Sequence, residues 1–452
     1  MDRHTPQDLH GVKVAVIGLG ASGVAAARLA VEQGGDVYVS DTRTDDAVAA
    51  RGTDLRALGI DVELGRHDLD RLADADVVVT SPGIPSHAPV LRSLADRGQR
   101  WISEPELASR FFTGSLIAIT GTNGKTTTTL LVDHLLRASG IDSAAGGNVG
   151  GGLAPPASDL ARRDPQPDWV VLEMSSYQLA DVETFRPDIG VVTNLSPDHL
   201  DRYGNFEAYY ADKARLFDNA DEASTWVLPA GDEAVRSLAG DAPGDRYHFG
   251  RDVGDAFVDG DVLTLRLWGE IEPLIPVADF PLLGEHNVLN GLNAALVARL
   301  AGAAEGGISA GLGSVRALPH RLEPVAEGRG VLWVNDSKAT NLAATRSALF
   351  SLDRPVILLL GGKDKGEDFA ELVDAMVGRV RAVLAYGAAG QRAATELRAA
   401  LVSAEAASVP ASEAFQPSGG GLAPKLLDGP EVVVVDGGLE DVVARASGVG
   451  GD

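Results

Sequence analysis

Residues 116–129 read LIAITGTNGKTTTT, an apolar run that passes into a glycine turn, a lysine and four threonines. A strand that enters such a turn before a helix is typical of a phosphate-binding loop, in which backbone N–H groups and a lysine contact phosphate and a hydroxyl binds Mg²⁺. The usual pattern G-x-x-x-x-G-K-[ST] places a glycine where this chain has Ile119. We still predict nucleotide-phosphate binding by Gly121, Thr122, Asn123, Gly124, Lys125, Thr126 and Thr127.

Apolar runs alternate with Ala/Leu-rich segments on both sides of this loop. VKVAVIGLG, DVYVSD and DVVVTSPG precede it, and WVVLEMSS, GVVTNLS, PVILLLGG, AVLAYG and EVVVVDGG follow it. This alternation predicts an α/β fold with mainly parallel sheets. A chain of 452 residues suffices for about three domains. We predict an N-terminal Rossmann-like module at 1–105, a central P-loop-type module at 106–312 and a C-terminal Rossmann-like module at 313–452.

Two other stretches depart from the alternation. Residues 262–267 indicate a β-rich insertion in the central module, and the Gly/Pro-rich stretch 415–430, FQPSGGGLAPKLLDGP, predicts a mobile surface loop. The joints between modules are expected near 103–113 and 309–318.

Composition narrows the class of protein. The chain has no cysteine, so disulfides and thiolate-bound metals are excluded. A formal charge of −25 counts against general nucleic-acid binding, because the protein would repel a phosphate backbone. The first residues lack the apolar core of a signal peptide, and no run is long enough to suggest a membrane span. We therefore expect a cytoplasmic protein without nucleic-acid or membrane partners, and a monomer.

A second glycine loop precedes the first. In AVIGLGASG, Gly18, Gly20 and Gly23 have the G-x-G-x-x-G spacing, and Asp41 ends the following apolar run. Such glycines let the backbone approach a pyrophosphate at a helix N-terminus. The motif alone does not separate a nicotinamide dinucleotide from another diphosphate. Arg43 beside Asp41 is unusual in a site that binds adenine ribose, because the arginine adds a cation that favours phosphate.

Polar side chains also follow the later apolar runs. Glu173 lies in VVLEMSSYQL, His199 in NLSPDHLDR and Lys213 in YYADKARLF. Ligands of α/β sheets bind at the carboxyl ends of strands, so these groups are well placed for Mg²⁺. Further on, HNVLN, LPHRLE, NDSKATN and GGKDKGEDF supply amide, guanidinium, carboxylate and ammonium groups suited to ribose, adenine and phosphate. These residues are Asn287, Asn290, Arg321, Asp336, Lys338 and Lys365.

Taken together, these motifs resemble the Mur ligase family over nearly the whole chain. The most specific are GTNGKTTTT, GGNVG, the E-x-SS-[FY]-QL form at Glu173, NLSPDHLDR, HNVLN, LPHRLE and NDSKATN. The resemblance implies that the N-terminal module binds UDP and that the central module is an ATPase domain. It also implies that the N-terminal loop and a later turn hold the UDP substrate through Ala21, Ser22, Asp41, Thr42, Arg43, Ser81, Pro82 and Gly83.

The resemblance assigns further roles around ATP. Lys125 and Thr126 would hold its phosphates, Asn148 and His199 would lie by substrate and metal, and Lys213 would be carbamylated. It implies one or two Mg²⁺ ions held by Thr126, Glu173, His199 and Lys213. Asn290, Arg321 and Asp336 would meet ATP, and Lys338, Thr340 and Lys365 would meet the amino acid and phosphate. The implied catalytic residues are Lys125, Glu173, His199, Lys213 and Lys338.

The implied activity is ATP-dependent addition of glutamate, in the D form, to UDP-N-acetylmuramoyl-L-alanine through an acyl phosphate, in peptidoglycan precursor synthesis. The family pattern continues past GLEDVVARA into a strand and a glutamate-binding loop, whereas this sequence ends at Asp452. We therefore expect the C-terminal module to lack its last strand and helix. The alternatives are use of L-glutamate, a ligase-like protein that binds but catalyses weakly, a folylpolyglutamate synthase or other relative, and a nicotinamide-dependent oxidoreductase.

Overall fold

The computed structural model describes residues 8–85, 87–196, 203, 205–339, 341–352, 354–363, 366–407, 430–437 and 439–449. It divides into two compact units, Met1–Pro281 with Asn287–Val315, and Leu282–His286 with Arg316–Asp452. The first unit contains both glycine loops. The predicted limits 1–105, 106–312 and 313–452 stay predictions, because this division keeps the first two modules together.

The first sheet of this unit, here called the N-terminal sheet, is parallel and has five strands in the described residues, in the order β3-β2-β1-β4-β5. The strands are β1 (Lys13–Ile17), β2 (Asp36–Asp41), β3 (Asp61–Leu64), β4 (Val77–Thr80) and β5 (Ile102–Ser103). The helices are α1 (Ala21–Glu32), α2 (Asp46–Ala57), α3 (Leu69–Ala73), α4 (Pro89–Asp96) and α5 (Glu104–Ser109). The strand order reverses between β1 and β4, and such a switch point opens a crevice at the strand ends.

The second sheet, the central sheet, has nine strands within the described residues, in the order β14-β13-β12-β11-β10-β9-β6-β8-β7. They are β6 (Ser115–Thr120), β7 (Ser143–Gly147), β8 (Trp169–Glu173), β9 (Ile189–Val192), β10 (Thr225–Pro229), β11 (Asp245–Phe249), β12 (Ala256–Asp259), β13 (Val262–Leu267) and β14 (Glu270–Pro276). The helices are α6 (Lys125–Ala138), α7 (Ala157–Ala161), α8 (Ser176–Ala180), α9 (Phe206–Ala214), α10 (Glu233–Ala239), α11 (Glu285–Leu300) and α12 (Glu305–Ser314).

The pairing explains which part of the central sheet carries ligand sites. The seven strands from β6 to β12 pair in parallel, whereas β12, β13 and β14 form an antiparallel meander at one edge. The predicted β-rich insertion at Val262–Leu267 is therefore strand β13, and it extends the sheet. Strands β6, β8 and β9 lie side by side in the sheet interior, and their residues are almost all buried. Their carboxyl ends are therefore neighbours.

The second unit has a two-stranded antiparallel sheet and a three-stranded parallel sheet in its described residues. Its strands are β15 (Glu323–Gly328), β16 (Val331–Asn335), β17 (Val356–Gly361), β18 (Val380–Tyr386) and β19 (Glu431–Val434). Its helices are α13 (Leu342–Phe350), α14 (Val373–Met376), α15 (Gly387–Ala407) and α16 (Leu439–Val449). The predicted α/β class with mainly parallel sheets is confirmed.

The last two features concern the predicted loop at 415–430 and the possibility of a membrane-spanning helix. The predicted loop at 415–430 lies outside the described residues except for Pro430. Of the helices in the described part of the chain, none is long and apolar enough to cross a membrane.

Buried carboxyl groups join the two sheets of the first unit. Glu104, at the start of α5, is 1% exposed, and its Oε1 accepts the N–H of Ser158 at 2.5 Å. Its Oε2 has no hydrogen-bond partner among the described residues. Burial raises the pKa of the Glu104 carboxyl to about 7, against the weaker lowering by the hydrogen bonds from Ser158. The carboxyl is therefore a proton-binding group near neutral pH.

This pKa predicts a pH dependence of stability. Between the ordinary pKa of 4.5 and the folded value of about 7, the folded state keeps a proton that the unfolded state releases. The free energy of unfolding therefore falls as pH rises through this window, by about 3 kcal/mol at most. We expect Glu104→Gln to reduce the loss of Tm between pH 5 and pH 8, while Glu183→Gln, at a side chain that is 32% exposed, leaves it unchanged. Parallel Tm curves for wild type and Glu104→Gln would contradict this assignment.

Candidate functional site

The predicted phosphate loop joins β6 to α6, and its backbone requires glycine at two positions. Gly121 has φ 139° and Gly124 has φ 80°, in the region that favours glycine. A Cβ on Gly121 would lie 2.0 Å from Thr193 Oγ1, and one on Gly124 would lie 2.6 Å from Asn290 Oδ1. Helix α6 begins at Lys125, so its first N–H groups face the turn. The geometry is that of an anion-binding loop.

Two lysines meet at one carbonyl of this loop. Lys125 Nζ donates to the carbonyl oxygens of Gly121 at 3.0 Å and Thr122 at 2.8 Å. Lys213, on α9, is 1% exposed, and its Nζ donates to the same Gly121 oxygen at 2.8 Å. The Lys213 ammonium also lies 4.6 Å from the centre of the Tyr209 ring. Two cationic side chains thus converge where phosphate is expected.

Oxygen ligands stand on the other side of the loop. Glu173, the last residue of β8, is 3% exposed, and its Oε2 accepts the hydroxyl of Thr126 at 2.7 Å. Its Oε1 accepts Asn148 Nδ2 at 3.3 Å, and the Asn148 N–H donates to the Glu173 carbonyl at 2.9 Å. A buried carboxylate beside a hydroxyl suits a hard cation such as Mg²⁺. In the described ranges no group of three or more His, Cys, Asp or Glu side chains could hold a metal.

Residues that were not predicted individually hold the loop in place. Thr193 Oγ1 donates to the carbonyl of Asn123 at 2.6 Å, and Asn194 Oδ1 accepts the Asn123 N–H at 3.0 Å. Thr122 Oγ1 donates to the Ser196 carbonyl at 3.0 Å. Asn194 and Ser196 belong to the NLSPDHLDR motif. That motif marks these residues in the sequence, but it does not predict that they support the phosphate loop.

The amide motif on α11 also reaches the loop. Asn290 Oδ1 accepts the hydroxyl of Thr128 at 3.3 Å, and its Nδ2 donates to Asn287 Oδ1 at 3.1 Å. The two asparagines are buried. The structure therefore brings Asn290 beside Gly124, although the two lie far apart in sequence.

The N-terminal glycine loop is braced by Asp41. Its Oδ2 accepts the N–H of Leu19 at 2.7 Å and Arg43 Nη2 at 2.7 Å, and its Oδ1 accepts the backbone N–H of Arg43 at 2.8 Å and Arg43 Nε at 3.0 Å. Burial alone would raise the pKa of Asp41, but the hydrogen bonds from Arg43 and Leu19 lower it to about 2. Asp41 is therefore an ionised brace for the loop.

The later Ser81 turn meets this loop at the switch point. Ser81 Oγ donates to the Gly18 carbonyl at 3.3 Å, and the Ser81 N–H donates to Ile17 at 3.1 Å. A Cβ on Gly18 would lie 2.9 Å from Ser81 Oγ, and one on Gly23 would lie 1.9 Å from the Gly18 carbonyl oxygen. The structure thus brings together two segments that were predicted to hold one ligand. The residues concerned are Ala21, Ser22, Asp41, Thr42, Arg43, Ser81, Pro82 and Gly83.

The second unit gathers the LPHRLE and NDSKATN motifs. Asp336 Oδ1 accepts the N–H of Leu322 at 3.0 Å, and the Lys338 N–H donates to the His320 carbonyl at 3.0 Å. Burial raises the pKa of the Asp336 carboxyl. His320 and Leu322 have φ 65° and 42°, a strained conformation for residues other than glycine, and Arg321 between them is exposed. Of the other predicted site residues, His199, Thr340 and Lys365 lie outside the described residues.

These features define an α/β protein that binds nucleotide phosphate, with an acid–hydroxyl pair beside its phosphate loop. Comparison with known proteins narrows the class. The description "Mur ligase MurD-like, N-terminal domain" matches residues 12–103, "Mur ligase middle domain" matches 119–298, and "Mur ligase, glutamate ligase domain" matches 320–416. The chain belongs to the Mur ligase family and has its three-domain architecture.

Relatives in two bacteria are similar over most of their length. The UDP-N-acetylmuramoylalanine--D-glutamate ligase of Acidobacterium capsulatum is 41% identical over 399 residues, which cover 87% of this chain and 86% of the relative. The enzyme of that name from Salinibacter ruber is 40% identical over 405 residues, 87% of each chain.

Among solved structures, the Thermotoga maritima UDP-N-acetylmuramate-alanine ligase MurC has a TM-score of 0.54 at 19% identity, with 97% of this chain and 100% of that chain covered. MurF of Acinetobacter baumannii has a TM-score of 0.54 at 17% identity, with 90% and 86% covered. At these identities, the likeness supports the fold alone.

The turn at Gly124 leads to a test of the loop. We expect Gly124→Ala to weaken Mg·ATP binding at least about tenfold, because a Cβ there would displace Asn290 and strain the turn. Gly140→Ala is the matched control: Gly140 follows the C-terminal end of the same helix, has φ 77°, and has no atom within 4 Å of its added Cβ. Titration of both variants with ATP would measure the difference, and equal affinities would argue against a phosphate-binding role.

Proposed function

We propose that this chain joins D-glutamate to UDP-N-acetylmuramoylalanine, with cleavage of ATP to ADP and phosphate, in peptidoglycan precursor synthesis. The observation that carries the proposal is the identity of 41% to a ligase of that name over 87% of this chain. The buried Thr126–Glu173 pair beside the phosphate loop supports it, because it provides the chemistry that phosphoryl transfer needs. A cytoplasmic location and a monomeric state stay predictions from the sequence.

The two substrates that react first are both anions, so the site must offset their repulsion. The carboxylate of the UDP-linked substrate must attack the γ-phosphorus of ATP, so two anions approach each other. The backbone N–H groups of the loop and the Lys125 ammonium offset this repulsion and stabilise charge that develops in the transition state. Oxygen–phosphorus bond formation releases ADP and leaves an acyl phosphate.

The second half of the reaction forms the amide. The amine of glutamate attacks the acyl carbon, and the tetrahedral intermediate releases phosphate and a proton. The predicted roles of Lys338, Thr340 and Lys365 at the amino-acid and phosphate end belong to this step, and those of Arg321 and Asp336 belong to ATP binding. We assign His199 an organising role at the metal and substrate rather than proton transfer.

A divalent cation fits the oxygen donors near the loop. Thr126 and Glu173 would hold it together with His199 and a carbamylated Lys213, and Asn148 orients Glu173. When bound, Mg²⁺ would neutralise phosphate charge. An ammonium offers only donors, whereas a carbamate offers oxygens to a hard cation. Carbamylation would also remove the repulsion between Lys213 and Lys125, whose ammonium groups share the Gly121 carbonyl.

The glycine loop at Gly18 favours UDP over a nicotinamide dinucleotide. A site that binds the adenine ribose of a nicotinamide dinucleotide needs a carboxylate oxygen to accept hydrogen bonds from the ribose hydroxyls. All four lone-pair positions of the Asp41 carboxylate are used by Leu19 and Arg43. The Arg43 side chain is 54% exposed, so its remaining N–H groups can face an anionic ligand. An oxidoreductase would also leave the phosphate loop at Gly124 without a role.

Substrate-dependent phosphate release tests the proposal directly. The purified chain with Mg·ATP should release phosphate only when UDP-N-acetylmuramoyl-L-alanine and D-glutamate are both present, and mass spectrometry should find the amide product. L-glutamate replaces D-glutamate in the parallel reaction. Turnover with the L form alone would refute the proposed enantiomer, and no turnover with either would refute the ligase function.

A substitution at Lys125 tests catalysis separately from binding of the UDP substrate. We expect Lys125→Ala to lower kcat at least about a thousandfold, because a cation is removed from the transferring phosphate. The dissociation constant of the UDP substrate should change less than about threefold, since that ligand is assigned to the N-terminal sheet. Lys13→Ala removes an exposed lysine paired with Asp74 and serves as the control. Near-normal turnover of Lys125→Ala would disprove the role given to Lys125.

Carbamylation of Lys213 is tested by chemical rescue. Lys213→Ala should lose activity that bicarbonate or a short-chain carboxylate partly restores, because either can supply the missing oxygens. Lys213→Arg keeps a positive charge and fills the space, so it should be inactive without rescue. An unmodified ammonium at Lys213 in the active enzyme, seen by mass and crystal density, would rule out the carbamate.

A further inference from the structure

Asp181 joins the central sheet to the N-terminal sheet. It directly follows α8, and its Oδ1 accepts the indole N–H of Trp101 at 3.0 Å. Its Oδ2 accepts the hydroxyl of Thr80 at 3.4 Å, and its carbonyl accepts the N–H of Ser103 at 2.8 Å. Thr80 ends β4, and Ser103 ends β5. One residue therefore holds two strand ends of the neighbouring sheet.

The residue after Thr80 begins the turn assigned to the UDP substrate. Ser81 is tied to β1 by its N–H bond to Ile17, and to the glycine loop by its hydroxyl bond to Gly18. A shift of Thr80 would therefore move both segments that are assigned to the UDP substrate.

The N-terminal end of α8 follows Glu173, the carboxylate beside the phosphate loop, in the chain. Ser175 and Gln178 form a capping box, with the Ser175 N–H donating to Gln178 Oε1 at 3.0 Å and the Gln178 N–H donating to Ser175 Oγ at 3.2 Å. Ser175 lies two residues after Glu173 in the chain. A capped helix of five residues is a short rod of about 8 Å. It fixes the separation between Glu173 and Asp181.

The segment that carries Lys213 is attached at the same place. The guanidinium of Arg215, two residues after Lys213, donates to the carbonyls of Ala180 and Val182, on either side of Asp181. Burial, followed by the nearby Asp212, raises the pKa of Asp181 to about 6, while Trp101, Thr80 and Arg215 oppose the rise. The Asp181 carboxyl accepts hydrogen bonds from both of its side-chain donors, Trp101 and Thr80.

We propose that Asp181 is a positioning residue that sets the UDP-linked carboxylate at attack distance from the ATP phosphate. The inference rests on the proposed function, and it adds a residue that touches neither substrate. Its basis is that the Asp181 side chain contacts Thr80, directly before the substrate turn, and that Asp181 follows the short helix that starts after Glu173. In addition, Arg215, two residues after Lys213, binds the carbonyls on both sides of Asp181. Misplacement of reacting groups by about 1 Å lowers rates about a hundredfold.

The test separates kcat from binding. Asp181→Ala should lower kcat about 30- to 100-fold, with the KM values for ATP and the UDP substrate within about threefold of wild type. Asp181→Asn keeps the shape and an acceptor for Trp101, and should restore kcat to within about threefold. Glu183→Ala is the matched control: Glu183 pairs with Arg100 at 3.0 Å and Arg110 at 3.5 Å at the same junction and does not contact Thr80. It should leave kcat unchanged.

A second variant addresses misfolding of Asp181→Ala. Thr80→Val with Trp101→Phe removes the two side-chain donors and keeps the carboxylate, and it should reproduce the loss of kcat. If the wild-type chain ligates and these variants keep a normal kcat, the role of Asp181 is refuted while the proposed function stands. A raised KM for the UDP substrate at normal kcat would also refute it, because the effect would lie in binding. If the wild type itself does not ligate, the proposed function fails and this inference falls with it.

Discussion

At Gly124 the chain adopts a left-handed conformation directly before α6, against the amide of Asn290. The side chains around the phosphate loop are connected to this turn by a series of contacts. Thr193 and Asn194 hold Asn123, Lys213 reaches the carbonyl of Gly121, and Thr126 reaches Glu173. A Cβ at Gly121 would clash with Thr193 and one at Gly124 with Asn290, so these contacts require glycine at both positions.

The charge distribution follows the same logic. The chain carries a formal charge of −25, although its proposed substrates are anions. Long-range attraction cannot hold them, since solvent ions screen charges beyond about 8–10 Å. Binding must therefore depend on cations at short range: Lys125 at the phosphate loop and Arg43 at the N-terminal loop. Lys125 is also the first residue of α6, where the partial positive charge of the helix N-terminus adds to its own.

Local motifs allowed the sequence to predict the parts of the site, but not the contacts between them. The GTNGKT and GLGASG loops lie after β6 and β1 as predicted, because a glycine turn between strand and helix has a short-range signature. The substrate role of Asp41 stays a prediction, and the structure adds its hydrogen bonds with Leu19 and Arg43, which the sequence did not predict. Asp181 has no motif of its own. Its partners Thr80 and Trp101 are about 100 and 80 positions away, so only the folded chain shows their contact.

The junction between the N-terminal and central sheets is built around three acidic residues. Glu106 is fully buried and accepts the N–H groups of Glu183, Thr184 and Phe185, together with the guanidinium of Arg110. Glu104 and Asp181 accept donors from the opposite sheet in a similar way. Burying carboxyl groups is expensive, and packed apolar side chains would often give equal or greater stability. Directional bonds differ from apolar contacts in that a small sliding movement breaks them. We interpret these carboxyl groups as selecting one arrangement of the two sheets, which a reaction between ligands held on separate sheets requires.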